Sequence, residues 1–106
     1  METLLLSDEF RKRRILPRAF SFPWGEGQIV EEVSFRGHYH EPTIQLLEFM
    51  NGFELVRFCS YTLSGRFERN SWIASQPELN GLRVELHKTP RLRKYLASLL
   101  SEDGDL

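Results

Sequence analysis

The stretch from Thr43 to Thr62, TIQLLEFMNGFELVRFCSYT, decides the fold. Two runs rich in aliphatic and aromatic residues flank Asn51-Gly52, the strongest short hairpin signal, because a type I′ turn needs positive φ at both central residues. A two-residue loop sets the register: Met50 opposes Phe53, Leu47 opposes Val56, and Ile44 opposes Cys59. Leu63-Ser64-Gly65 then fits a three-residue loop with Gly65 left-handed. That loop pairs Tyr61 with Phe67, Cys59 with Arg69, and Val56 with Trp72.

Working outward, Ile29–Arg36 and Arg66–Ala74 have the same strand composition, so residues 29–74 read as an antiparallel meander of about four strands. Pro17–Gly27 reads as a loop anchored by Phe20, Phe22 and Trp24. Before it, Ser7-Asp8-Glu9 caps a short helix whose basic last turn ends at Pro17. Residues 1–28 therefore form an N-terminal helix and aromatic loop. On the other side, Ser75-Gln76-Pro77-Glu78 has capping-box spacing and opens a helix carrying Leu79, Leu82 and Leu86. Thr89-Pro90 restarts the pattern, and Leu92, Tyr95, Leu96, Leu99 and Leu100 follow as an apolar stripe. Residues 75–100 are helical and 101–106 are an acidic tail. The fold class is α+β, one domain over residues 1–106, with two C-terminal helices packed on one sheet face.

Alternation along the strands leaves neither sheet face polar, so both are expected to be covered. Charge adds to this. The net charge is −1, which argues against strong non-specific attraction to nucleic acid or membrane. The distribution is uneven: Arg11, Lys12, Arg13, Arg14 and Arg18 precede a middle containing Glu26, Glu31, Glu32, Glu41, Glu48 and Glu54, and a second basic group follows from Arg83 to Lys94. These blocks are expected to face each other, within the chain or across a homodimer. With no bilayer-length apolar run and a single Cys59 inside a strand, the chain reads as a cytoplasmic protein with no membrane anchor and no cofactor.

Three clusters carry functional leads. Arg57 and Arg69 share a sheet face with Tyr61 and Phe67, and arginines interleaved with aromatics suit single-stranded nucleic acid. Arg11-Lys12-Arg13-Arg14 adds phosphate-binding charge; its bland reading is a helix end facing the glutamates. A Glu48–Arg57 cross-strand pair is the bland reading of the sheet arginines. His38-Tyr39-His40-Glu41 places two imidazoles on one side, with Glu41 or His87 to complete a metal shell. His38 and His40 resemble the H-x-H element of cupins, without that family's glutamate three or four residues later. From Gly65 to Leu86, a glycine turn, a strand and a capped helix resemble transcriptional coactivators of the positive-cofactor type. That resemblance implies a nucleic-acid-binding sheet.

Catalysis has no motif. Phosphate loops and nucleophile elbows are absent, and Glu31 and Glu32 point to opposite faces of their strand. The expectation is a non-enzymatic, homodimeric binding domain. Its ligand is single-stranded nucleic acid, with a metal-binding protein or a protein-interaction module as alternatives.

Overall fold

The computed structural model describes residues 14–69 and 71–101. Arg11, Lys12, Arg13 and most of the expected first helix and acidic tail lie outside them; residues 14–16 are not helical. Five antiparallel strands form one sheet in chain order: β1 (Arg18–Phe22), β2 (Gly25–Ser34), β3 (Glu41–Phe49), β4 (Glu54–Tyr61) and β5 (Phe67–Glu68). Helix α1 (Gln76–Glu85), a 3-10 turn (Leu86–Lys88) and helix α2 (Pro90–Leu99) follow. The α+β class, the meander and the two C-terminal helices are as expected, with one strand more.

The added strand is β1. Pro23 and the glycines after it give this region the look of a loop. Arg18–Phe22 nevertheless alternates, and Pro23-Trp24 forms a two-residue turn that pairs Phe22 with Gly25. Gly27 is a strand residue for a steric reason: a Cβ there would run into the backbone of Glu48 and Phe49. At the other edge, β5 ends at Glu68 instead of Ala74. The chain must leave the sheet to reach the helix layer, and Trp72 turns in against Phe58, ring centroids 5.5 Å apart.

The central hairpin is shifted by one residue from the expected register. Among the described residues positive φ occurs only at glycines, Gly52 (+88°) and Gly65 (+89°), so Asn51 cannot supply a type I′ turn. The loop is instead Met50-Asn51-Gly52. Gly52 N–H donates to Phe49 O at 2.9 Å and Phe49 N–H to Phe53 O at 2.8 Å. The Asn51 side chain accepts from Phe53 N–H at 3.0 Å. This is the three-residue loop closed by a left-handed glycine. The pairs become Leu47 with Leu55, Leu46 with Val56, Ile44 with Phe58 and Thr43 with Cys59. A shift of one exchanges the faces of β4 relative to β3. The second hairpin matches expectation, with Tyr61 opposite Phe67.

Both sheet faces are covered, by different means. On one, Val33, Ile44 and Leu46 pack with Leu82 of α1 and Leu92 of α2, flanked by Phe35, Val56, Trp72, Leu86 and Leu96. The capping box of α1 forms as its sequence implies: Ser75 N–H donates to Glu78 Oε1 at 2.8 Å, and Glu78 N–H donates back to Ser75 Oγ at 3.4 Å. The start of α2 is fixed by β2, where Glu31 accepts from Leu92 N–H at 2.7 Å and Arg91 N–H at 3.3 Å. A carboxylate there also favours the helix dipole. Burial then falls along α2. Leu92 is fully buried, whereas Tyr95, Leu99 and Leu100 are exposed, so the expected stripe meets the sheet only at its beginning.

The other face is lined by the sheet itself. A bulge between Ile29 and Glu31 bends β2. The sheet curls until Arg18 of β1 reaches the Tyr61 hydroxyl of β4 at 2.9 Å, across two intervening strands. Ile29, Leu47 and Phe49 pack inside this curl with Leu16, Phe20, Phe22 and Leu55. The opposed charge blocks also meet within the chain, at Arg14–Glu41, Arg18–Glu32 and Arg91–Glu48. Both sheet faces and the opposed charges thus find partners within the chain. No helix of the described residues is long and apolar enough to cross a membrane.

Candidate functional site

Strand alternation sends Arg18, Glu32, Gln45, Arg57 and Tyr61 to the concave face, where they form one hydrogen-bonded group. Arg18 grips Glu32 with both terminal nitrogens, at 3.0 and 2.6 Å. Gln45, fully buried, donates to Glu32 at 2.7 Å and to the Tyr61 hydroxyl at 3.0 Å, and its oxygen accepts from Arg57 Nε at 2.7 Å. Arg14 lies over the Tyr61 ring, 4.0 Å from its centroid, and donates to Glu41 at 2.5 Å. Burial works against the charge of Arg18, but the hydrogen bonds and charge of Glu32 outweigh it and hold the guanidinium pKa above its usual value.

Arg14 and Arg18 each have a carboxylate partner. Arg57 does not. Its Nε bonds a neutral amide, and among the described residues it forms no ion pair. Its guanidinium lies 4.9 Å from the Phe67 centroid and 5.7 Å from that of Phe22, within cation–π range of both. Phe67 in turn meets Tyr61 edge-on at 5.8 Å.

These rings border an open slot of about 720 Å³ where the curl fails to close. One wall is β1 with Phe20, Ser21 and Phe22; the other is Arg57, Phe58 and Cys59 of β4 with Phe67, Glu68 and Arg69. β5 pairs only with Ser60 and Tyr61, so among the described residues the β4 edge beside Arg57 has no neighbouring strand. The four sheet residues singled out in the sequence, Arg57, Arg69, Tyr61 and Phe67, therefore gather at or beside this slot. Arg14 joins them through Tyr61. The expected opposition of Cys59 and Arg69 does not form, because β5 ends first. The Glu48–Arg57 pair does not form either: Glu48 lies on the helical face, bonded to Arg91 at 3.0 Å, and Arg91 also pairs with Glu54. Phe20 and Phe22 were missed as site residues because β1 reads as a loop; the alternation of Arg18, Phe20 and Phe22 was the available signal.

His38, His40 and Glu41 are not brought together. His40 faces Glu78 of α1 at 3.8 Å, whereas Glu41 points to the concave side and Arg14. Among the described residues no group of three or more His, Cys, Asp or Glu side chains is placed to hold a metal ion.

Cys59 sits in the slot wall with 4% of its surface exposed. Burial pushes its thiol up to about 11, with Glu32 adding to the shift and Arg57 opposing it. The folded protein should therefore react with iodoacetamide at pH 8 about two orders of magnitude more slowly than its unfolded chain. The sign for stability follows from the raised value. The contribution is full below about pH 9, where the unfolded thiol keeps its proton, and is lost as pH rises through about 11. Equal alkylation rates for folded and unfolded protein would contradict this burial.

Comparison with protein-family models, curated proteins and solved structures gives no match.

Proposed function

We propose that this chain is a non-enzymatic binding domain of the curled-sheet class, and that its ligand is single-stranded nucleic acid held in the slot between β1 and β4. One observation carries the reading: Arg57 has no carboxylate partner among the described residues and is flanked by the rings of Phe22 and Phe67 at an open cleft. A guanidinium so placed meets a phosphate oxygen with its terminal nitrogens while the exposed Phe67 ring offers a surface to a base. Arg69 supplies a second charge on the same wall. Glu68 nearby limits the total, which favours a short contact over a long electrostatic track.

The test is fluorescence anisotropy of a labelled thymidine decamer against salt. With Arg57 and Arg69 each neutralising one phosphate, log K should fall with log salt at a slope of about −1.4. A duplex of the same length should bind more weakly, since its bases are closed to stacking. No binding at low salt, or binding indifferent to salt, would overturn the reading.

A further inference from the structure

We infer that Trp24, at the β1–β2 turn, is a stacking step for a nucleobase of the same strand whose phosphate Arg57 holds, extending the binding surface from the slot onto the turn. The inference rests on the nucleic-acid reading and names a residue outside the slot itself. The indole lies 5.1 Å from Phe22, with planes 11° apart, and 5.3 Å from Phe49 at 25°. Phe22 and Phe49 are themselves only 6.4 Å apart. Two rings on opposite faces of an indole would be separated by nearly twice the stacking distance. Both therefore back the same face of Trp24, and the other face is open. Its exposure agrees: 66% of Trp24 is accessible although the residue is stacked.

The sequence builds this platform deliberately in chemical terms. Pro23-Trp24 is the turn, so the indole is held with a strand on each side, β1 before it and β2 after it. Gly25 follows it, and a Cβ there would press on the Phe49 ring at 3.3 Å. The glycine lets that ring lie close beneath the indole. A tryptophan fixed by two rings loses little further freedom when a base stacks on it, so most of the stacking energy is available for binding. Phe22 is shared: it stacks on Trp24 and also lies within cation–π distance of Arg57. A base on the open face of Trp24 is thus separated from a phosphate at Arg57 by the indole and the Phe22 ring, a span the nucleic-acid backbone crosses with the charge of Arg57 complementing it.

The experiment uses the full chain carrying Trp72→Phe, so that Trp24 is the sole emitter, with the same thymidine decamer as probe. Anisotropy of the labelled decamer reports binding independently of tryptophan emission. Expected are quenching of Trp24 fluorescence at saturation and a loss of affinity of roughly 5- to 150-fold in Trp24→Ala. Trp24→Phe should retain most of the affinity. If the decamer binds with Trp24 emission unchanged and Trp24→Ala binds as tightly as its parent, this inference falls and the slot reading stands. If anisotropy shows no binding at all, both fall. Because the quenching measurement keeps Trp24 in place, it decides the matter even where Trp24→Ala is poorly folded.

Discussion

Glu32→Gln is expected to destabilise the protein by about 3–5 kcal/mol, read as a lowered urea midpoint at unchanged slope. Glu32 lies on the concave face with its side chain 8% exposed and accepts from both terminal nitrogens of Arg18 and from Gln45. The amide removes the charge and turns one acceptor into a donor facing donors. Arg18 cannot escape by losing its proton, since an arginine guanidinium stays protonated in a protein. It is left as a largely buried cation without a counter-charge. Replacing both partners, Arg18→Met with Glu32→Leu, should recover most of the loss, because the cost lies in the orphaned charge rather than in the missing bond. Glu85→Gln is the control. Its partner Lys88 is 74% exposed at the side chain, so that change should stay within about 0.5 kcal/mol. A Glu32→Gln midpoint no lower than that of Glu85→Gln would contradict the buried-pair account.

The neighbouring pair Glu31-Glu32 shows how far local pattern could be read. Strand alternation alone sends the two carboxylates to opposite faces, and they part as expected, one to the start of α2 and one to Arg18. Capping chemistry was equally legible at Ser75 and Glu78, and left-handed glycine at Gly65, because each depends on residues a few positions apart. What failed depended on distant partners. Asn51-Gly52 permits both a two-residue and a three-residue loop. The choice is tied to the pairing of Leu46 with Val56 beneath α1 and α2, which no local signal contains. β1 was hidden for the same reason. Gly25 and Gly27 look like loop residues until the Phe49 ring and backbone they make room for are known.

The candidate site survived the register shift by a particular geometric accident. Moving the hairpin by one residue exchanges the faces of β4 relative to β3, but Arg57 and Tyr61 move together. The second hairpin carries Phe67 with them. Residues on one side of a strand remain companions whatever the strand pairs with. What the shift changed was their background. The face expected to offer Glu48 as a partner for Arg57 offers Gln45 instead, and that substitution of a neutral group for a carboxylate is what leaves Arg57 with charge to spare.

Arg57→Met is accordingly expected to weaken decamer binding about 10- to 100-fold and to make the salt slope shallower by about 0.7, the share of one phosphate on a single strand. Some stability should go as well. Gln45 is fully buried, and the lost Nε bond leaves its oxygen unpaired, at a cost of about 1–3 kcal/mol. Binding must therefore be measured where the variant is still folded, and a second variant separates charge from shape. Arg57→Lys keeps one positive charge but has no planar group to lie against Phe22 and Phe67. It should keep nearly the full salt slope while losing part of the affinity. A structural role alone predicts something else: both variants would weaken binding in proportion to their loss of stability, with slopes unchanged. Equal slopes for wild type and Arg57→Met would remove Arg57 from the phosphate contact and leave Arg69 as the slot's remaining charge for that role.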